Sequence, residues 1–211
     1  MTIVSIKSGT GEELKKIELS DGSLFWFKTC YLPPLFNDEL YTAGKAEGRE
    51  ISADEDRAFR FASGCLRAEK AALRLIARAE QAVFGISRKL ERRGHESACV
   101  DAVVSRLVEL ELLDDRRFAR LWLESRLCCR VSSPRRLLAA LCGRGIDRHA
   151  AETVLKNCLD GEHEADLLNR YVNRKGLSVP EKTDPRSFRY LLKGEGFSAP
   201  AIQQYLEEHG I

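Results

Sequence analysis

The sequence of 211 residues lacks the patterns that mark metal, redox and nucleotide sites. None of its seven cysteines forms a C-x-x-C pair, and its four histidines are scattered, so no zinc-ligand spacing is present. It contains no Walker A sequence and no nucleophile beside a base in a recognisable constellation. We therefore predict a protein that is not an enzyme, with no catalytic residues, no metal and no cofactor.

Long apolar runs are missing as well. No run of about 18 apolar residues predicts a membrane helix, and no basic stretch followed by an apolar one predicts a signal peptide. We therefore predict a cytoplasmic protein without membrane contact. In that reducing compartment the cysteines are expected to be free thiols that pack as small apolar residues, at positions 30, 65, 99, 128, 129, 142 and 158.

The formal net charge is only +2, but the charge is unevenly distributed. Residues 67–148 hold 18 basic and 11 acidic side chains, a net charge of +7, while the segments on both sides are net acidic. A basic block of this kind can attract a polyanion or an acidic protein face. It can equally be a set of solvated helix surfaces, and charge alone does not separate the two interpretations.

The first 50 residues predict a small β-hairpin region. Residues 3–6 and 16–19 have the composition of strands, and an aromatic strand follows at residues 24–27. Between the last two lies Asp21-Gly22, which favours a type I′ turn with positive φ at both central residues. Pro33-Pro34 ends the strands, and residues 35–50 are predicted to be short helix and loop.

From residue 52 onward the pattern is helical and repeats itself. Ser52 and Glu55 have the spacing of a capping box. A helix-ending leucine and a glycine four residues later recur at intervals of 51 residues, as Leu90 with Gly94, Leu141 with Gly145 and Leu192 with Gly196. These glycines are predicted to cap their helices, with a positive φ at two or more of the three. Pro134 and Pro185, also 51 residues apart, are predicted at first helical positions. The residues before them are predicted N-caps, and the next helices are predicted to be capped at the same interval, which gives Ser133, Asp184, Asp147 and Ser198.

These repeats predict a mainly α fold of tandem three-helix units, similar to helix-turn-helix domains, with at least nine helices after residue 51. A single three-helix repeat cannot bury its own apolar faces, so neighbouring repeats are expected to stack into an elongated, curved solenoid. The predicted boundaries are an N-terminal β-hairpin region at 1–50, a linking helix at 51–66, and three-helix repeats at 67–114, 115–161 and 162–211.

Two motifs suggest other chemistry, and the repeats explain both. Residues 194–199 match G-x-G-x-x-A, but a helix rather than a strand is predicted before them, so we interpret the glycines as a turn. Asp114-Asp115 lies where a new helix begins, so helix capping accounts for this pair better than metal binding does.

Clustered arginines are the remaining candidates for function. Guanidinium groups suit bidentate pairing with carboxylate or phosphate, and residues three or four apart share a helix face. We predict a basic binding face made of three clusters, namely Arg88, Lys89, Arg92 and Arg93; Arg116, Arg117, Arg120, Arg126 and Arg130; and Arg135, Arg136 and Arg144.

The residues around the second cluster resemble a known family. Residues 113–120, L-D-D-R-R-F-A-R, are similar to the L-D-D-x-R-F-A block of the RecX family, and the similarity continues through Ser125-Arg126, Pro134-Arg135-Arg136 and Gly145-Ile146. Upstream, residues 71–94 resemble that family's first repeat. Ser133 departs from the pattern, since the family has glycine before this proline.

The resemblance implies a regulatory function in recombination, DNA repair and the SOS response. RecX-like proteins bind along the groove of the RecA–DNA filament and inhibit its ATP hydrolysis, strand exchange and co-protease stimulation. We therefore expect a monomer whose partner is the RecA filament, with single- or double-stranded DNA as a further partner. Two alternatives stay open, namely a basic helical DNA-binding module that acts without RecA and a helical scaffold for an unrelated protein.

Overall fold

The computed structural model describes residues 1–9, 13–34, 47–129, 131–159, 164–177 and 185–210. These residues form a three-stranded sheet and nine α-helices. The chain divides into two compact units, residues 1–113 and residues 114–211. Most of the short helix and loop predicted at 35–50 lies outside the described residues, which resume at residue 47.

The N-terminal sheet is antiparallel in the order β1-β2-β3, with β1 at Ile3–Ser8, β2 at Leu14–Leu19 and β3 at Leu24–Lys28. Side chains on β3 alternate, so Phe25 and Phe27 are buried while Leu24 and Trp26 are exposed. Phe27 packs against Phe59 of the first helix, with ring centroids 5.6 Å apart. The sheet therefore uses one face to cover that helix. A short 3₁₀ helix, Thr29–Tyr31, follows β3.

The turn between β2 and β3 differs from the predicted type I′ turn. The Leu19 amide donates to the Ser23 carbonyl at 2.9 Å, which leaves three residues in the loop rather than two. Gly22 has a φ of 83°, and Asp21 does not have a positive φ. This is a type I turn followed by a left-handed glycine. Asp21 accepts hydrogen bonds from the Ser23 amide and hydroxyl, which favours the longer loop.

Nine helices follow the sheet within the described residues, which confirms the predicted number. They are α1 Ala53–Ile76, α2 Val83–Glu91, α3 Ser97–Glu109, α4 Asp115–Cys129, α5 Pro134–Cys142, α6 Arg148–Cys158, α7 Glu164–Lys175, α8 Pro185–Gly194 and α9 Ala199–Glu208.

In each consecutive set of three helices, the third packs against both the first and the second. The mainly α fold with helix-turn-helix-like units and a small N-terminal sheet is therefore confirmed. The segment predicted as a linking helix, 51–66, is continuous with the start of the first repeat, because α1 extends without a break to Ile76. The boundaries 67–114, 115–161 and 162–211 stay a prediction.

Side-chain caps begin several of these helices where the sequence predicts them. Ser52 and Glu55 form both hydrogen bonds of the capping box at α1. Ser133, Asp147 and Ser198 each accept a hydrogen bond from the backbone amide three residues ahead. A proline occupies the first position of α5 and of α8.

The helix ends confirm the predicted glycine caps. Gly94, Gly145 and Gly196 have φ values of 81°, 84° and 92°. After each glycine, the next amide donates to the carbonyl of the repeated leucine, at 3.2, 3.3 and 3.3 Å. This is the Schellman motif, which satisfies carbonyls that the helix end leaves free. The G-x-G-x-x-A motif is thus the turn between α8 and α9.

Each unit has its own hydrophobic core. One cluster of buried residues lies within residues 3–113 and the other within residues 167–206. The three repeated leucines, Leu90, Leu141 and Leu192, are fully buried. In the part of the chain that the structure describes, no helix combines the length and apolar character needed to cross a membrane.

Candidate functional site

The second arginine cluster lines a groove in the second unit. Arg116, Arg117 and Arg120 line it from α4, while His149, Thr153, Val154, Asn157 and Cys158 line it from α6. The groove has a volume of about 790 Å³. Arg116 and Arg120 are exposed and one helical turn apart, so both guanidinium groups are accessible to a ligand in the groove.

Asp114 fixes the start of α4 and thereby the register of these arginines. Its Oδ1 accepts hydrogen bonds from the Arg116 amide at 2.8 Å and the Arg117 amide at 3.1 Å. This confirms helix capping as the role of Asp114. Farther along α4, Ala119 and Leu123 are fully buried. These two residues therefore mark the side of α4 that packs into the protein.

Two carboxylates also line the groove, and they offset its positive charge only in part. Glu124 Oε1 lies 3.9 Å from Arg120 Nε, and both side chains are more than half exposed, at 55% and 61%. An exposed pair of this length contributes little. Asp114 is engaged by backbone amides. Three arginines against two such carboxylates leave the groove suited to an anionic partner.

Arg126 and Arg144, two members of the predicted basic face, contact the same aromatic side chain. Both lie over the ring of Trp122, with their guanidinium carbons 5.2 Å and 4.5 Å from the ring centroid. Arg144 also donates to the Ala140 carbonyl at 2.6 Å. These cation–π contacts join α4 to the end of α5. The sequence signal for them is Trp122 one turn before Arg126, which charge clustering alone does not detect.

Arg136 also serves the fold. Its Nη1 lies 2.7 Å from Glu195 Oε2, in the turn that follows α8. The Tyr171 hydroxyl donates to the same oxygen at 2.6 Å. Arg136 therefore connects α5 to α7 and α8 although its side chain is 55% exposed. Its neighbour Arg135 is also exposed. Arg130, the remaining member of the second cluster, lies outside the described residues.

The first cluster lies at the C-terminal end of α2, where cations interact favourably with the helix dipole. Arg88 lies over the exposed ring of Phe84 at 5.6 Å, and Lys89 donates to Gln81 Oε1 at 2.6 Å. The helix ends at Glu91, so Arg92 and Arg93 belong to the turn that follows. All four cations are exposed.

Among the described residues, no three His, Cys, Asp or Glu side chains are close enough to hold a metal ion. Burial raises the pKa of the Cys65 and Cys99 thiols, and both side chains pack in the first core. Cys128 differs from the predicted packing role, because its side chain is exposed on α4.

Consecutive sets of three helices, each with its third helix packed on the first two, define a protein of the helix-turn-helix type. The model of the second three-helix domain of RecX matches residues 114–155. A regulatory protein RecX of Treponema pallidum is 37% identical over 149 residues, which cover 69% of this chain and 87% of that protein. A relative from Caldanaerobacter subterraneus, also named regulatory protein RecX, is 23% identical over 80% of this chain and 84% of its own length.

Solved structures agree with these sequence relationships. A crystal structure of a regulatory protein RecX superposes with a TM-score of 0.71 over 98% of both chains at 18% identity. RecX from Lactobacillus salivarius superposes with a TM-score of 0.59 over 70% of this chain and 97% of that one, at 17% identity. The chain belongs to the RecX family. It is therefore a regulatory protein and not an enzyme.

Proposed function

We propose that this protein binds the RecA filament on single-stranded DNA and inhibits its ATPase, strand-exchange and co-protease activities. The observation that carries the proposal is the groove between α4 and α6. Its arginines lie inside residues 114–155, the segment that matches the RecX domain. The proposal includes a cytoplasmic monomer that acts in DNA repair and the SOS response.

A filament is a repeating partner that exposes phosphates and acidic protein surface, so several moderate charge contacts add up along it. Arg116, Arg120, Arg92 and Arg93 are exposed and supply such contacts. Each partly exposed contact contributes roughly 0.5–1 kcal/mol. Arg126, Arg136 and Arg144 have intramolecular partners, so we assign them to the fold rather than to binding.

The test is the RecA ATPase on single-stranded DNA, with this protein titrated in. The parent is expected to inhibit hydrolysis. The double variant Arg116→Glu/Arg120→Glu removes two contacts and introduces repulsion. This variant should need a concentration about 5- to 30-fold higher for half-inhibition, which corresponds to about 1–2 kcal/mol of binding free energy.

A matched control reverses the same amount of charge on α6 outside the groove, as Arg148→Glu/Lys156→Glu. Both side chains are exposed and neither lines the groove. This control should inhibit like the parent, and circular dichroism should show both variants folded. Equal inhibition by the groove variant and the parent would place the binding surface elsewhere. A parent that leaves hydrolysis unchanged would refute the proposal.

The alternative is a basic module that binds DNA without RecA. The observation in its favour is the likeness of each three-helix set to helix-turn-helix domains. It predicts strongly salt-dependent binding to bare duplex DNA and no effect on RecA. Binding to duplex at two salt concentrations, measured beside the ATPase assay, separates the two functions.

A further inference from the structure

A second group of cationic side chains lies in the first unit, where charge clustering in the sequence does not reveal it. Arg60 and Arg67 of α1 line a cavity of about 420 Å³ together with Arg93 and His95 from the turn between α2 and α3. Of these four residues, only Arg93 belongs to the predicted basic clusters. The other three come together only because α1 packs beside that turn.

The same face of α1 continues into a second cavity. Arg67 and Lys70 line a space of about 580 Å³, and Leu24 and Trp26 of β3 also line it. Because Arg67 lines both cavities, the two are neighbours along α1. Arg60, Arg67 and Lys70 lie seven and three residues apart, which places them on one side of the helix.

These cations are poorly neutralised. Arg67, Lys70 and Arg93 are exposed, and none of their side chains forms an ion pair or hydrogen bond with the residues that the structure describes. Arg60 pairs with Asp56 at 2.8 Å, and one carboxylate, that of Glu96, lines the first cavity.

His95 lies in the first cavity beside these cations. Burial, followed by the charges of Arg67 and Arg93, lowers its pKa from the usual value. An anion between these side chains would relieve the repulsion among them. The geometry and the charge therefore both favour an anionic ligand beside Arg67.

Trp26 adds an aromatic surface to the cationic one. Its side chain is 44% exposed although it is apolar and lies on a strand. Lys16 lies 5.8 Å from its ring centroid, so a further cation is near the indole. Arginines that contact phosphates, beside an aromatic ring on which a base can stack, are the chemistry that binds single-stranded nucleic acids. In a duplex the bases are already stacked on each other and cannot use such a ring.

We propose that this face of α1 binds a single strand of nucleic acid, with phosphates at Arg67 and Arg93 and a base on Trp26. The inference extends the proposed function, because a RecA filament contains a single strand, but it can be tested without RecA. The site lies in the first unit and the arginine groove in the second, so the variants of the site and of the groove share no residue. Arg93 is common to this site and to the filament contacts of the proposed function, which the Trp26 and Arg67 substitutions leave in place.

The experiment is fluorescence anisotropy of a labelled oligothymidylate of about twelve nucleotides with the full chain. Arg67→Glu/Arg93→Glu should weaken binding at least about 10-fold. A variant with alanine at the same two positions should reduce the slope of log K against log salt by about 1.4, for two phosphate contacts on a single strand. Trp26→Ala should weaken binding about 5- to 100-fold and leave that slope unchanged, because stacking releases no counterions.

The matched control is Arg57→Glu/Arg78→Glu, which makes the same change of charge at exposed positions of the first unit that line neither cavity. It should bind within about 2-fold of the parent. Circular dichroism checks that each variant is folded. If the Arg67/Arg93 variants bind like the control, the proposal is overturned.

Competitors identify the source of the phosphate. Unlabelled oligothymidylate should displace the probe, whereas inorganic phosphate at equal phosphate concentration and duplex DNA should compete poorly. Displacement by inorganic phosphate as effective as by the strand, with Trp26→Ala unchanged, would overturn the nucleic-acid assignment. A parent that inhibits the RecA ATPase but does not bind the oligonucleotide would overturn this inference and leave the proposed function intact.

Discussion

Single residues decide where the helices of each repeat stop. Gly94, Gly145 and Gly196 all have left-handed backbone, and each lets a Schellman motif close over a buried leucine. Their surroundings differ. A Cβ at position 94 would meet nothing within 4 Å, whereas a Cβ at position 196 would lie 2.8 Å from Ser133 Oγ. Gly94 is therefore needed only for its positive φ. Gly196 is needed for its positive φ and because the start of α5 lies too close to leave room for a Cβ.

Alanine substitutions should separate these two requirements. Gly94→Ala should lower the free energy of unfolding by about 1 kcal/mol, which is the cost of left-handed backbone for a residue with a Cβ. Gly196→Ala should cost more, because Ser133 must also move, and Ser133 donates to the Glu195 carbonyl at 2.8 Å. Urea unfolding followed by circular dichroism measures both changes. Equal costs would contradict the steric part of this prediction.

At the scale of helices, the side chain of Glu195 connects α5 and α7 of the second unit to the turn after α8. This carboxylate accepts from Arg136 of α5 and from the Tyr171 hydroxyl of α7. Burial raises the pKa of Tyr171 to about 12, and the hydrogen bond to Glu195 and its negative charge add to the shift. The ordinary value is 10.0, so the folded unit holds this tyrosine in its neutral form.

This contact predicts a loss of stability in alkaline solution. A tyrosine whose pKa is raised by folding contributes stability that is fully present below pH 10 and is lost as the pH rises toward about 12. Glu195→Gln should lower the pKa of Tyr171 but not return it fully to the ordinary value, because burial remains. The measurement is the ultraviolet titration of tyrosinate, with Tyr171→Phe as the reference that removes this signal. A titration unchanged by Glu195→Gln would show that burial alone causes the shift.

At the scale of the whole molecule, the chain consists of two units with separate cores. The cluster around Phe59 and Leu107 lies in residues 1–113, and the cluster around Leu168 and Tyr205 lies in residues 114–211. Each unit has about the length of an ordinary domain, so each can bury enough apolar surface to fold. The two candidate surfaces, the groove between α4 and α6 and the cationic face of α1, lie in different units.

We therefore expect fragments 1–113 and 114–211 each to fold by themselves. Each should give helical circular dichroism and a cooperative thermal transition, because its core needs no residue of the other cluster. Limited proteolysis of the full chain should cut near residues 113 and 114 before it cuts within α1 or α4. A fragment without a cooperative transition would contradict this prediction, because its core would then not be enough for it to fold without the other unit.

Part of the candidate site follows from the sequence. The spacing of Arg116 and Arg120 on one helix placed both on one exposed side, and Asp114 was correctly interpreted as a cap. The roles of Arg126, Arg136 and Arg144 did not follow, since their partners Trp122 and Glu195 depend on helix packing. Charge clustering counts arginines and cannot tell a solvated guanidinium from one held by a ring or a carboxylate.

The sequence by itself determined that at least nine helices follow residue 51. It also determined the starts of four of them, after Ser52, Ser133, Asp147 and Ser198, and the ends of three, before the repeated glycines. Capping and left-handed turns are local, because the groups that satisfy each other lie within six residues along the chain. Only the tertiary structure decided that Arg67 of α1 lines the same cavity as Arg93 and His95. The same holds for the ion pair between Arg136 and Glu195. Such contacts join residues far apart in sequence, and the packing of apolar faces sets which ones meet.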